Sequence, residues 1–225
     1  MIRAFLFLIL LSVSTSTQAF YGASGGSSGG EDVITATGRK GHIASIYNLF
    51  DGRSHSIQVS RLAPNGAVHW SQQHYDGNYE KAYAAAIDSK GNIFIAGVRR
   101  YSGGKFFLLL KFDENGYLET EIVDDQYDCT AINIAVDPED NVAIAGVCRY
   151  GQNFPARLLR YSNDGGLLWF DEYDGGGRNY VRGMNLDYAG NVAMTVETVF
   201  GDYRDGSFVT RTVVYDKQGR RIDVR

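Results

Sequence analysis

Ala86-Ile87-Asp88-Ser89-Lys90-Gly91-Asn92-Ile93-Phe94-Ile95-Ala96-Gly97 decides the fold. Two short apolar runs flank a turn where aspartate can bond the turn backbone and glycine can take positive φ, so the stretch reads as a β-hairpin. The pattern returns at Ala135 to Asp137 with Asn141 to Gly146, and again at Asn185 to Asp187 with Asn191 to Val196. A more diverged copy, Asp32 to Thr37 with Gly41 to Tyr47, falls in register ahead of them. The first turn of each unit lies at Gly41, Gly91, Asp140 and Gly190, and a second at Gly66, Gly116, Gly165 and Gly219, so the period is near 50 residues. The last unit is longer, with its extra residues around Phe200 to Ser207. A fixed period of this size marks stacked supersecondary units, none of which buries its apolar face alone.

Each unit resolves into four strands, A to D. Strands A and B flank the first turn, and strands C and D flank the second, as in Phe106 to Phe112 followed by Asp113-Glu114-Asn115-Gly116. Asn-Gly and Asp-Gly turns between β-rich runs are strong hairpin signals. The repeats fall at about 31–79, 80–128, 129–178 and 179–225. With 44% hydrophobic residues among 225, 27 glycines and only three prolines, the chain suits short strands joined by tight turns around a sizeable core.

Ala86 to Gly97, with Lys111 to Gly116 behind it, resembles the β-propeller repeats common in secreted bacterial proteins. Trp70 to Gly77 and Trp169 to Gly176 resemble that family's lead into the next repeat, although Thr120 and Asp223 replace the tryptophan in units two and four. The resemblance covers about residues 31 to 225. It implies an all-β four-bladed β-propeller, or a partial one, of four-stranded antiparallel blades, and it carries no activity with it. Four blades that close without a partner hide their terminal edges, which predicts a monomer.

The amino terminus is separate. Arg3, the apolar run Ala4 to Val13 and then Thr17-Gln18-Ala19 have the layout of a signal peptide over residues 1–19, and residues 20–30 form a Gly/Ser leader. The mature chain is therefore expected in a secreted or periplasmic setting, with no membrane insertion after cleavage. Cys129 and Cys148, the only cysteines, flank the hairpin whose turn is Asp137 to Asp140, and a four-residue turn pairing Val136 with Asn141 sets them opposite each other. Export favours a disulfide there. Glu80 and Arg99 occupy the matching positions one unit earlier and can form a cross-strand ion pair.

In a four-stranded blade the A–B and C–D turns share one face of the ring, and the B–C and D–A loops share the other. The first face is explained by turn geometry. The second gathers tyrosine, arginine and aspartate, which supply rigid amphipathic contact area at low entropy cost. Candidate ligand residues are Tyr79, Arg100, Tyr101, Tyr127, Arg149, Tyr150, Tyr180, Tyr203 and Arg204, for a glycan or protein partner. A propeller-type glycosidase or lyase is the alternative, resting on Asp76, Asp125, Asp174 and Asp202, and a purely structural repeat is a third reading.

Other chemistries find little support. Ser162-Asn163-Asp164-Gly165-Gly166-Leu167-Leu168-Trp169 resembles the sialidase turn box but occurs once and is structural in that family. The four histidines lack zinc-peptidase spacing, and Asp137-Pro138-Glu139-Asp140-Asn141 lacks the later glutamate of a calcium loop, so no metal or cofactor is implied. A net charge of −4 argues against a nucleic-acid partner.

Overall fold

The computed structural model describes residues 33–38, 41–125, 128–201 and 206–225. The predicted signal peptide and leader lie outside the described residues, as do Tyr127, Asp202, Tyr203 and Arg204. Among the described residues sixteen strands follow in order. The first sheet holds β1 (Val33–Thr37), β2 (Ile43–Phe50), β3 (His55–Leu62) and β4 (Val68–His74). The second holds β5 (Tyr79–Ile87), β6 (Ile93–Tyr101), β7 (Gly104–Phe112) and β8 (Leu118–Asp124). The third holds β9 (Asp128–Val136), β10 (Val142–Arg149), β11 (Ala156–Tyr161) and β12 (Leu167–Tyr173). The fourth holds β13 (Arg178–Leu186), β14 (Val192–Phe200), β15 (Ser207–Tyr215) and β16 (Arg221–Val224). Each sheet is an antiparallel meander of four consecutive strands. Among the described residues no helix is long and apolar enough to cross a membrane.

The core lies between successive sheets. Ile46, Ile57, Ile95 and Leu108 join the first sheet to the second; Phe94, Phe107, Ile144 and Leu159 join the second to the third; Leu158, Val181, Met194 and Val213 join the third to the fourth. Among the described residues no such cluster joins the fourth sheet to the first, so the array is an open, partial propeller. The closure that predicted a monomer is therefore absent. The two terminal faces show why the stack can stop. Residues alternate with Ile34, Ile46 and Val59, and Thr35, Ser45, Ser60 and Ser71 form one row across the far face of the first sheet. Ser60 and Ser71 bond each other at 2.8 Å, and Gln58 Nε2 donates to Ser71 at 2.9 Å. The far face of the fourth sheet carries Thr195 opposite Thr212 and Glu197 opposite Thr210. Each end face thus carries a row of polar pairs, flanked on the fourth sheet by Ala193 opposite Val214 and Val199 opposite Phe208, and polar groups on the end units favour solvent over a further sheet.

Register departs from expectation in a compensated way. Val136 pairs with Val142 rather than Asn141, because the turn runs one residue longer and Asp137 N–H donates to Asn141 O at 2.9 Å. A β-bulge at Ile132 then absorbs the extra residue, and Cys129 faces Cys148 as expected. They form a disulfide, both buried. The second sheet repeats the bulge at Tyr83, restoring Glu80 opposite Arg99. Glycine is needed across the bulge, since a Cβ on Gly97 would lie 2.1 Å from Lys81 O and one on Gly146 the same distance from Thr130 O.

The turn end is built for blade-to-blade attachment. Asp137 Oδ1 accepts the backbone N–H groups of Glu139 and Asn141, and Oδ2 accepts from Asn141 Nδ2 and Arg160, leaving no vacant side for a cation. Asp140 takes the positive φ, 65°, that glycine takes in the other first turns, and its carboxylate accepts from Ser89 N and Oγ of the preceding repeat at 2.9 and 2.7 Å. One cation per C strand reaches the next blade: Arg61 to Gly91 O, Lys111 to Asn163 and Arg160 to Gly190 O. Trp70 and Trp169 donate from Nε1 to Glu114 O and Lys217 O of the following repeat. The tryptophans are thus inter-blade connectors.

Candidate functional site

At the other end of the sheets the strands run further than the sequence suggested. Tyr79 opens β5, Arg100 and Tyr101 close β6, Arg149 closes β10 and Tyr180 lies in β13, all positions expected in loops. Cross-strand pairing continues to the rim because Ser102 and Gly103, with φ of 48° and 80°, make a two-residue hairpin that pairs Tyr101 with Gly104. Rigid strand ends, rather than long loops, position these side chains.

The site grows from the Glu80 and Arg99 pair. Glu80 is fully buried and Arg99 nearly so. Arg99 Nε donates to Glu80 Oε1 at 2.8 Å and lies 2.9 Å from Asp76 Oδ2, while Nη1 donates to Glu121 Oε1 at 2.7 Å. His74 Nε2 sits 3.3 Å from Glu80 Oε1 and 3.5 Å from Glu121 Oε2. Three carboxylates thus surround one guanidinium and one imidazole. Burial alone would lower the Arg99 pKa, but the bonds to Glu121 and Glu80 outweigh it and hold the guanidinium charged. Burial would likewise raise Asp76, and the bonds from Asn78 with the charges of Arg99 and His74 prevail, keeping its carboxyl below the usual range.

Above this cluster opens a cleft of about 500 Å³ lined by Asp76, Asn78, Arg99, Tyr101, Ser102 and Val123. Asp76 accepts from Asn78 N at 2.9 Å and Nδ2 at 3.0 Å, which fixes both polar heads. Tyr101 packs on Phe106 with centroids 4.5 Å apart. Beside the cleft, Phe50 stacks on His55 at 4.5 Å, His55 meets Tyr79 at 4.2 Å, and the Arg100 guanidinium lies 4.5 Å over the Tyr79 ring.

Tyr101 therefore lines the cleft, while Tyr79 and Arg100 stack on each other outside its lining. Arg149 and Tyr150 lie elsewhere: Arg149 is exposed and donates to Gly151 O at 3.3 Å, while Tyr150 belongs to a second cluster between the second and third sheets. There Arg157 meets Asp124 and Glu172, each at 2.8 Å, and the Tyr150 hydroxyl donates to Glu172. Burial and then Glu172 push the Tyr150 phenol well up, and burial with the Asp124 charge pushes Tyr161 up to about 12. Tyr180 lies on the fourth sheet under Arg182. Of the acidic candidates only Asp76 lines the cleft; Asp174 accepts from Gly176 N, and Asp125 is exposed. Asn78, Ser102, Val123 and Glu121 were missed by sequence reasoning, and the one available signal was the matched spacing of Glu80 and Arg99 to the two cysteines.

No family model and no curated protein matches the chain. Similar solved structures include the Bombyx mori GH32 β-fructofuranosidase, at 10% identity and a TM-score of 0.46 over 84% of this chain and 48% of that one. Another is a mannose phosphorylase from Leishmania mexicana, at 15% identity and 0.46 over 87% and 68%. The chain spans about half the length of the fructofuranosidase, and at these scores neither enzyme's activity transfers to it.

Proposed function

We propose that the protein is an exported binding module that recognises a glycan through the cleft over Arg99. The observation that carries this is the convergence in one open depression of an aromatic ring, Tyr101, with an amide and a carboxylate, Asn78 and Asp76, whose orientations are already fixed. Sugars present hydroxyls that both donate and accept, and pinned polar groups beside an aromatic face meet them without a further ordering cost. A carboxyl held below its usual range does not suit the general acid of a glycosidase, which must keep its proton near neutral pH, so in the enzymatic alternative Asp76 would serve only as nucleophile or base. The disulfide fits an oxidising compartment, consistent with export after cleavage of residues 1–19.

A glycan and peptide array probed with the mature protein tests the reading. Glycan hits that disappear with Tyr101→Ala and with Asn78→Ala, at unchanged melting temperature, support it. Peptide hits alone would replace the glycan with a protein partner, and turnover of a glycosidic substrate would restore the enzymatic alternative.

A further inference from the structure

We infer that the ligand is a neutral oligosaccharide chain of several residues, held at the cleft and again on the Phe50 ring; this rests on the glycan reading above. Phe50 stands at the end of β2 and remains 61% exposed although one ring face is covered by His55. An exposed phenyl is ordinarily mobile, but here the ring is held by a continuous stack in which His55 lies on Tyr79 and Tyr79 under Arg100. The base of that loop is equally fixed, since Asp51 Oδ1 accepts from Arg53 N and Ser54 N at 2.9 and 2.7 Å. Such a prepaid orientation is what makes a surface aromatic a recognition anchor rather than a solvated side chain.

Neither Phe50 nor Tyr79 lines the cleft, yet Tyr79, which meets His55, follows the cleft residue Asn78 directly in the chain, so the exposed ring and the cleft are separate stations on neighbouring segments. A single sugar seated on Phe50, outside the cleft lining, cannot at the same time bond the polar groups within it. A chain of three or more can, with a pyranose face on Phe50 and hydroxyls on Asp76 and Asn78.

Charge selects the kind of chain. The cleft floor holds Asp76, Glu80 and Glu121 around Arg99 and His74, so its guanidinium is already taken by carboxylates, and the Arg100 guanidinium lies on the Tyr79 ring rather than in the cleft lining. Uronic and sialic acids bring further negative charge to that floor, while neutral sugars bring only hydroxyl donors.

Calorimetric titration of the mature protein separates the outcomes. The probes are mannan-, xylan- and cellulose-derived oligosaccharides of one to six residues, with oligogalacturonides of matched length. Affinity for at least one neutral series is expected to rise at least about tenfold from the single sugar to the trimer or tetramer. Phe50→Ala should abolish that rise and leave the melting temperature within about 1 °C because the side chain is exposed. Equal affinity for one and for four residues, or a length dependence that survives Phe50→Ala, overturns the extended site while leaving glycan binding intact. Preference for oligogalacturonides overturns the neutral assignment. Absence of binding to every probe, together with an array free of glycan hits, rejects the glycan reading itself.

Discussion

Glu80 with Arg99 and Cys129 with Cys148 occupy the same place in two successive repeats, the cross-strand pair just beyond the A-strand bulge, facing the preceding sheet. Both pairs are buried. The cysteines close on each other and sit within an apolar cluster that includes Phe107 and Tyr161, so nothing further is asked of their neighbours. The ion pair cannot close on itself. A guanidinium carries five donors, and Arg99 recruits Asp76 from the preceding D–A connection and Glu121 from its own β8 to satisfy them. In the fourth sheet Asn179 faces Thr198 at the same place, bonded at 2.7 Å. One backbone position thus accepts a covalent, an ionic or a neutral hydrogen-bonded pair, and only the ionic one gathers enough polar groups to floor a cleft. The candidate site marks where the repeat departs from its own pattern.

The largest expected effect breaks the ionic pair from one side. Arg99→Met leaves Glu80 buried without its cation, a loss of about 3–5 kcal/mol. At about 2–4 °C per kcal/mol for a chain of this length, calorimetry should show a fall of roughly 10 °C. A change below about 2 °C would mean the network is solvated rather than buried. Removing the covalent pair comes next. Cys129→Ala with Cys148→Ala opens a loop closed over a sequence separation of 19, worth about 3 kcal/mol in the chain-entropy account. Intact mass under oxidising conditions should first show both thiols absent, and two free thiols would remove the basis of this expectation.

A transplant sharpens the comparison at smaller cost. Because the bulge at Tyr83 gives the second sheet the register of the third, Glu80→Cys with Arg99→Cys should oxidise spontaneously and recover most of the stability lost in Arg99→Met. The proposed glycan binding should vanish, since the cleft floor goes with the guanidinium. Failure to oxidise would show that the two hairpins are not equivalent despite their matched spacing.

The two pairs also show what the sequence could reveal. Turns, strand order and the repeat were legible because aspartate and glycine sit at positions fixed by backbone geometry, and the partnership of Cys129 and Cys148 was legible from their spacing. The two cysteines still meet because two local departures cancel: the turn is one residue longer, and Ile132 bulges out. Neither has a composition signal, although the glycines at 97 and 146 mark the bulge's opposite strand in both sheets. The cations Arg61, Lys111 and Arg160, spaced like the turns, were a readable sign of blade contact that went unused. The cleft was less legible still. His74 reaches Glu80, Asp76 reaches Arg99 and Glu121 reaches Arg99 only through the packing of one sheet on the next and the pairing of distant strands, and repeat alignment registers neither. The openness of the ring depends on the same inter-sheet geometry.

The smallest effect separates the pairs by pH. Asp76 is depressed in the folded protein because the Asn78 bonds and the Arg99 and His74 charges exceed the cost of its burial. A carboxyl with a depressed folded pKa contributes stability at pH above its unfolded value, near 3.8, and loses that contribution as pH falls through the folded value. Asp76→Asn should therefore lower the melting temperature at pH 7 and converge with the wild type as pH falls below 3.8. The gap at neutral pH should stay under about 1 kcal/mol, because Asp76 remains partly open to solvent. Disulfide cysteines do not titrate, so the gap between the wild type and the Cys129→Ala, Cys148→Ala variant should be the same at both ends of that range. Melting curves of the three proteins between pH 7 and pH 2.5 check both halves: an Asp76 gap that persists undiminished in acid would show that Asn78 and Arg99 hold the side chain's shape rather than its charge.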